Sequence, residues 1–124
     1  MLHGFGDQTA PLTDTELEAV PIFVAALKNA YGRDNALYNG NLRALFPGLT
    51  EARVRKVINH IRTFGLVPCL IASSNGYYIA ETEDEMLAYE DSLLGRELAI
   101  RQIRERIADQ RNARFHQGYQ GRLF

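Results

Sequence analysis

Residues 50–80 read TEARVRKVINHIRTFGLVPCLIASSNGYYIA, and the signals of secondary structure are clearest in this stretch. Thr50 is a typical helix N-cap, and behind it four apolar residues recur at the helical spacing i, i+3, i+4 and i+7. These residues are Val54, Val57, Ile58 and Ile61. The pattern predicts a helix over residues 51–64 that is closed by Gly65 and buries one side.

The second half of this stretch has the composition of β-strands. Residues 66–72 are rich in Val, Ile and Leu, and residues 77–80 are aromatic and β-branched. Asn75-Gly76 between them is the strongest short-range hairpin signal, because both residues tolerate positive φ. We therefore expect a two-stranded hairpin packed against the helices. Cys69 lies within the apolar run and is expected to be a small core residue.

A first helix is predicted well before residue 50. Thr13 and Glu16 have the spacing of a capping box, and apolar residues follow at helical spacing towards Gly32, the expected C-terminal cap. Pro21 interrupts this run and removes one helix hydrogen bond. We therefore expect either a kink at Pro21 or a helix that begins near it.

A loop over residues 33–39 leads into a short predicted helix over residues 40–46. Its expected cap is Asn39, and Pro47-Gly48 ends it. The residues predicted to face inward are Leu42, Leu45 and Phe46. The turn over residues 46–50 then joins this helix to the next one, as in a helix-turn-helix.

A long helix is predicted after the hairpin, from the cap Thr82 to about Arg111. Its apolar residues follow a 3-4 spacing over about three heptads. The seam comprises Met86, Tyr89, Leu93, Ile100, Ile103 and Ile107, with Arg96 at one position. Residues 81–91 carry six acids and no base, whereas residues 96–114 carry six arginines and three acids. In an antiparallel homodimer the acidic end of one helix lies beside the basic end of the other, so these charges favour that arrangement. The start of the seam is expected to pack on its own domain, and the predicted dimer contacts are Leu93, Ile100, Ile103 and Ile107.

Length and composition bound the organisation of the chain. It has 124 residues, 46% of them hydrophobic, which is enough for one packed domain. We expect an arm over residues 1–12, a helix-and-hairpin domain over 13–81, the long helix over 82–113 and a tail over 114–124. The lone cysteine excludes an internal disulfide and a multi-cysteine zinc cage. No apolar run approaches the roughly 20 residues of a membrane span, and no signal-peptide pattern is present, so we expect a cytoplasmic protein without a membrane partner.

The candidate binding residues lie opposite the apolar stripe of the predicted helix 51–64, which has four Lys or Arg against one acid. Arg pairs bidentately with guanine, Asn with adenine, and Lys reaches phosphate or base edges. Because the N-terminal part of a recognition helix usually reaches the bases, Arg53 and Lys56 are the principal predicted DNA contacts. The other predicted contacts are Asn59 and His60, Arg55 and Arg62 on the flanks, and Ser73, Ser74 and Asn75 at the hairpin tip, which suit phosphate.

Residues 50–80 also resemble the recognition helix and wing of winged helix-turn-helix proteins. VRKVINHIRTFGL followed by SSNGYYIAETEDE is particularly similar to small winged-helix proteins encoded by prophages and mobile elements, and the wing resembles that of biotin-repressor-type regulators. The resemblance covers about residues 13–85 and implies DNA binding through Arg53, Lys56 and His60, with Asn75-Gly76 as the wing tip. It implies that residues 13–81 are a winged-helix domain, in a mainly α protein with a β-hairpin wing (α+β).

The sequence therefore predicts sequence-preferring binding to double-stranded DNA, in transcriptional regulation or in the maintenance of a mobile element. A net charge of −1 excludes coating of nucleic acid by bulk charge, so binding must use a local basic patch. The alternative is a winged-helix module that binds protein within a larger assembly, with its basic side merely solvated. An enzyme is not expected, because the three histidines are dispersed and no Gly-rich phosphate loop follows a strand; no cofactor and no metal are predicted.

Overall fold

The structure, a computed structural model, describes residues 10–116. Its elements in chain order are α1 (Asp14–Leu27), a 3-10 turn (Arg33–Asn35), α2 (Asn39–Leu45), α3 (Glu51–Thr63), β1 (Leu70–Ser73), β2 (Gly76–Ile79) and α4 (Glu83–Phe115). The protein is mainly helical with a two-stranded antiparallel hairpin, so the predicted α+β class is confirmed at that level. The chain forms two compact units, of which the first ends at Met86 and the second begins at Leu87.

The core of the first unit lies where α1, α2 and α3 meet. The four predicted stripe residues of α3 are all buried: Val54, Val57, Ile58 and Ile61. They belong to one cluster with Phe23 and Leu27 of α1, Leu42 of α2 and Tyr77 of β2. α3 begins at the predicted cap, because Thr50 Oγ1 accepts a hydrogen bond from the Arg53 amide at 3.2 Å. The apolar spacing of residues 50–64 thus located the central helix correctly.

α1 begins at the predicted capping box. The Glu16 amide donates to Thr13 Oγ1 at 3.2 Å, and the Thr13 amide donates to Glu16 Oε1 at 2.9 Å. The helix continues through Pro21 to Leu27, so it does not begin near the proline. Its predicted end near Gly32 is wrong, since Lys28 is the C-cap.

The segment between α1 and α2 includes the predicted loop over residues 33–39, and its backbone is hydrogen-bonded to β2. The Gly32 amide donates to Ile79 O at 2.9 Å, and the Ile79 amide donates to Ala30 O at 2.7 Å. These bonds take backbone groups that a longer helix would use internally, which explains why α1 ends before Gly32. Leu37 and Tyr77 also exchange two backbone hydrogen bonds, at 3.0 and 2.8 Å, in an isolated antiparallel bridge. A strand-like position therefore precedes α2 in the chain and lies beside β2.

α2 begins one residue earlier than predicted and has a different cap. Its N-cap is Tyr38, whose amide donates to Asn41 Oδ1 at 2.8 Å. The predicted cap, Asn39, is instead a helical residue, and its side-chain amide donates to Glu51 O at 3.1 Å and to the Tyr77 hydroxyl at 3.4 Å. Asn39 therefore ties the start of α2 to the start of α3 and to the hairpin.

The inward side of α2 is narrower than predicted. Leu42 is fully buried and Phe46 is half-buried, as expected. Leu45 is 52% exposed, so its predicted burial is wrong. A helix of seven residues presents only one stripe to the core, and Leu42 and Phe46, four residues apart, occupy it.

The hairpin forms where the sequence predicts it, but its first strand is shorter. β1 begins at Leu70 rather than at residue 66, and it pairs with β2 so that Ser73 lies opposite Gly76. Ser74 and Asn75 form the loop. Only Gly76 of the predicted Asn-Gly pair has a positive φ, at 95°, and Asn75 does not.

Cys69 is exposed, so its predicted place in the core is wrong. Its φ of 61° lies in the left-handed region, where the chain turns from the end of α3 into β1. Val67, two residues earlier, is 2% exposed and takes the inward position instead. The apolar composition of residues 66–72 predicts a single strand, and this turn interrupts it.

α4 begins as predicted, because the Glu85 amide donates to Thr82 Oγ1 at 3.1 Å. It includes Arg114 and Phe115, which the sequence assigns to the tail. No residue of this helix is buried. Among residues 10–116, none of the helices combines the length and the apolar content needed to cross a membrane. The remainder of the predicted arm and tail, residues 1–9 and 117–124, lies outside the described residues.

Gly76→Ala should destabilise the first unit strongly. A Cβ at this position would lie 2.8 Å from Leu37 O, and the φ of +95° strains any L side chain. We expect the free energy of unfolding to fall by about 2–3 kcal/mol, measured by urea denaturation followed by circular dichroism. The matched control is Gly40→Ala in α2, where a Cβ meets nothing within 4 Å, so stability should be unchanged or slightly higher. Equal losses in both variants would contradict the close approach of Leu37 to the turn.

Candidate nucleic-acid interface

The DNA contacts predicted on α3 all lie outside its buried stripe of Val54, Val57, Ile58 and Ile61. The structure divides these residues into two groups. One group lies towards α1 and comprises Arg53, Lys56 and His60. The other comprises Arg55, Asn59 and Arg62, which recur at i, i+4 and i+7 and so share one stripe of the helix.

The first group is organised by a buried carboxylate, that of Glu16 in α1, which is only 2% exposed. Arg53 Nε donates to Glu16 Oε2 at 2.9 Å, and Lys56 Nζ donates to Glu16 Oε1 at 2.7 Å. Arg53 Nη2 also donates to Thr13 Oγ1 at 3.1 Å. We call Thr13, Glu16, Arg53 and Lys56 the Glu16 cluster. It joins the first turn of α1 to the first half of α3.

The Glu16 cluster keeps its acid ionised. Burial by itself would raise the pKa of the Glu16 carboxyl, but hydrogen bonds from Lys56, from the Thr13 amide and from Arg53 outweigh burial and lower this pKa to about 2. The carboxylate is therefore charged at neutral pH and pairs with both cations. The Lys56 side chain is 12% exposed and that of Arg53 is 36% exposed, so Lys56 is the more enclosed of the two.

This geometry bears on the prediction that Arg53 and Lys56 are the principal DNA contacts. Both cations are committed to Glu16 within the same chain. Moving either side chain to a DNA phosphate would leave a buried carboxylate short of a partner, which is strongly unfavourable. In the isolated chain, the two principal predicted contacts therefore hold α1 against α3.

Glu16 is the residue that the sequence analysis missed, because its capping-box spacing explained it without a tertiary role. A second signal was present. Glu16 lies in register with Ala19, Phe23 and Leu27, which are all buried on one side of α1. An acid at the head of a buried stripe needs a cation from a neighbouring element. That spacing predicts the pairing with α3.

His60 lies in an open groove between α3 and the start of α1. The groove has a volume of about 570 Å³, and its walls include Leu12, Leu17 and Phe64. The His60 and Phe64 rings are in contact, with centroids 4.7 Å apart and a tilt of 50°. His60 therefore lies with Lys56, Asn59 and Thr63 on the α3 side of a groove whose other lining residues are apolar.

The second group, which we call the Arg55 face, consists of Arg55, Asn59 and Arg62. Arg55 Nη1 donates to Glu51 Oε1 at 2.8 Å within the helix, and their side chains are 51% and 62% exposed. Such an exposed i,i+4 pair contributes only about 0.3–0.5 kcal/mol, so it is easily exchanged for another anion. Arg62 Nη2 donates to Asn59 Oδ1 at 3.1 Å. The cation of this face that is most accessible is thus Arg55.

The predicted hairpin contacts differ in their availability. Ser73 Oγ accepts a hydrogen bond from the Asn75 amide at 3.1 Å, so this hydroxyl holds the turn together. The Ser73 residue is half-buried, whereas Ser74 and Asn75 are exposed at the tip. The exposed hydroxyl and amide of the tip therefore belong to Ser74 and Asn75.

Comparison of the chain with protein-family models, with curated proteins and with solved structures found no significant match. The likeness to winged-helix proteins thus depends on the pattern of the sequence. Within residues 10–116, no three or more His, Cys, Asp or Glu side chains are grouped so that they could hold a metal ion.

Glu16→Gln should destabilise the first unit and make its stability less sensitive to acid. The variant leaves Arg53 and Lys56 without their carboxylate, and we expect a loss of about 3 kcal/mol near pH 7. In the unmodified chain the pKa of Glu16 is lowered by folding, so its stabilisation is complete above the ordinary carboxyl pKa and is lost as the pH falls from about 5 towards 2. Urea denaturation at about pH 7 and about pH 3 measures both effects.

The matched control for this experiment is Glu18→Gln, an exposed acid on the same helix. It should unfold like the unmodified chain at both pH values, because surface charges contribute little. If Glu16→Gln lost as much stability on acidification as the unmodified chain, the Glu16 cluster would not be the source of the acid sensitivity.

Proposed function

We propose that residues 13–81 form a winged helix-turn-helix domain and that the chain binds double-stranded DNA with a preference for certain sequences. The observation that carries this proposal is the order of elements around β2. A strand-like position at Leu37 precedes α2, a short turn joins α2 to α3, and the hairpin follows. Two helices joined by a short turn are the arrangement of a helix-turn-helix, and the hairpin follows α3 where the resemblance implies a wing.

The proposed contact surface differs from the one that the sequence ranks first. We assign it to the Arg55 face, with Ser74 and Asn75 of the hairpin tip as phosphate contacts. Arg55 is half-exposed and holds only a weak surface pair, so a phosphate or a guanine edge can replace Glu51. Asn59 and Arg62 carry the groups that read adenine and guanine edges.

The low net charge agrees with binding through few ionic contacts. With a net charge of −1, the chain lacks a general attraction for nucleic acid, and its affinity must come from a small surface. Such a protein suits transcriptional control or the maintenance of a mobile element in the cytoplasm, which are the biological roles we propose for it. No chemical reaction, cofactor or metal enters the proposal.

The proposal predicts salt-dependent binding to duplex DNA through the Arg55 face. In fluorescence anisotropy with a labelled duplex of random sequence, Arg55 and Arg62 should each pair with a phosphate. Two such ion pairs should make binding about tenfold weaker at about 200 mM salt than at about 50 mM. Arg55→Ala combined with Arg62→Ala should weaken binding at the lower salt by about 10- to 100-fold and flatten the salt dependence. Thermal unfolding of the variant checks that the fold is intact.

The matched control removes the same charge elsewhere in the first unit. Lys28→Ala combined with Arg33→Ala changes two exposed cations, one at the C-cap of α1 and one in the 3-10 turn, and should leave affinity nearly unchanged. Equal losses in the two double variants would show that only overall charge matters. That result would refute the Arg55 face as the DNA contact, and so would a duplex affinity that does not change with salt concentration.

A second candidate function, a module that docks onto another protein, is favoured by one observation. The groove beside α3 presents apolar walls at an outer surface, where Leu17 is 49% and Phe64 is 67% exposed. A protein-docking module would show weak duplex affinity that is unaffected by the Arg55 and Arg62 changes. Affinity capture with the unmodified chain would then recover a partner protein, and the double variant Leu17→Asp with Phe64→Asp would no longer recover it.

A further inference from the structure

The long helix α4 exposes large apolar side chains along its length. It has 33 residues, none of them buried. Leu93 is 40%, Ile100 is 41%, Ile103 is 62% and Ile107 is 56% exposed, and Leu87, Leu94 and Leu98 are exposed to a similar degree. A helix of this kind is ordinarily stabilised by packing an apolar stripe against a partner.

α4 carries two apolar stripes that a partner could cover, and they differ in the number of charged residues among their positions. The first has heptad spacing through Met86, Tyr89, Leu93, Arg96, Ile100, Ile103 and Ile107, with one charge among its positions. The second contains Leu87, Leu94 and Leu98, but the same spacing places Asp91, Arg101 and Glu105 among them. Charged residues at core positions of a coiled coil are costly. The first stripe, which we call the α4 seam, is therefore the one suited to burial.

We propose that two copies of the chain associate through the α4 seam as an antiparallel coiled coil. This inference does not depend on DNA binding, because none of its residues belongs to the Arg55 face. In an antiparallel coiled coil, an a position of one helix lies opposite a d position of the other. Here Leu93 packs on the partner's Ile103, Tyr89 packs on the partner's Ile107, and Arg96 lies beside the partner's Ile100.

The charges that flank the seam choose the antiparallel direction. In that arrangement Glu83 faces the partner's Arg111, and Glu90 faces the partner's Arg104. Each pair occurs twice by symmetry. The one unfavourable contact is Glu97 with its own copy at the centre. Opposite charges at these flanking positions set the orientation of coiled coils.

A parallel arrangement of the same seam is disfavoured on two grounds. Its flanking positions pair Glu85 with the partner's Glu90 and Arg106 with the partner's Arg111, which are like charges. Its core brings Arg96 against the partner's Arg96, so two guanidinium groups meet in one apolar layer. The antiparallel direction removes these like-charge pairs and separates the two Arg96 side chains, and it introduces one like-charge contact, between the two copies of Glu97.

The first test compares two substitutions on α4 by light scattering and sedimentation of the full chain. Ile103→Glu changes a seam residue that is 62% exposed, and Leu98→Glu changes an apolar residue outside the seam that is 48% exposed. The unmodified chain and Leu98→Glu should be dimers. Ile103→Glu should raise the dimer dissociation constant by about 100-fold or more, because each dimer loses two seam contacts.

The second test reads the direction of the helices by disulfide formation. It uses Cys69→Ser, which removes the exposed native thiol, as the background. A mixture of Tyr89→Cys chains with Ile107→Cys chains should form the mixed disulfide under mild oxidation, since the two positions face each other. Ile107→Cys chains alone should remain largely uncrosslinked, because the partner's Ile107 lies far along the helix.

The outcomes are unambiguous. A monomeric unmodified chain, or equal effects of Ile103→Glu and Leu98→Glu, would refute pairing through the α4 seam. Rapid crosslinking of Ile107→Cys alone would show a parallel pair and overturn the proposed direction. A complex in which α4 binds a different protein in place of a second copy would refute the proposed self-association. Duplex titration reports on α3 separately, so failure of either proposal is recognised independently.

Discussion

One buried carboxylate governs the arrangement of the first unit. Glu16 Oε1 accepts from the Thr13 amide, which starts α1, and also from Lys56, which belongs to α3. A local capping interaction and a tertiary ion pair therefore share a single oxygen atom. Because removing a partner from a buried charge is costly, this pairing restrains the rotation of α3 relative to α1, together with the buried apolar stripe of α3. That rotation in turn determines which cations of α3 remain accessible.

The parts of the fold that depend on local pattern were predictable from the sequence. The apolar stripe of α3, the caps at Thr13, Thr50 and Thr82, and the position of the hairpin all follow from residues within one or two turns of each other. The bridge between Leu37 and Tyr77 was not predictable in this way. An isolated bridge of one residue pair is too short to show the alternation of apolar and polar residues that marks a strand.

The candidate site shows the same division. Sequence reasoning found the outer side of α3 and the residue types suited to DNA, since both follow from the helix alone. It ranked Arg53 and Lys56 first because it considered that helix in isolation. α3 carries cations along two edges. Which edge lies beside Glu16 depends on how α1 packs against α3, and the sequence of α3 alone does not determine that packing. The buried register of Glu16 with Phe23 was the available clue.

The pairing of β2 on both sides has a consequence for edge-to-edge association of folded chains. Within the described residues, β1 lies along one side of β2, and the segment from Ala30 to Leu37 lies along the other. The open edge of the hairpin therefore belongs to β1, which has only four residues. Pro68 stands just before it and has no amide hydrogen to extend a ladder. An edge strand this short is a poor template for pairing with a strand of another molecule.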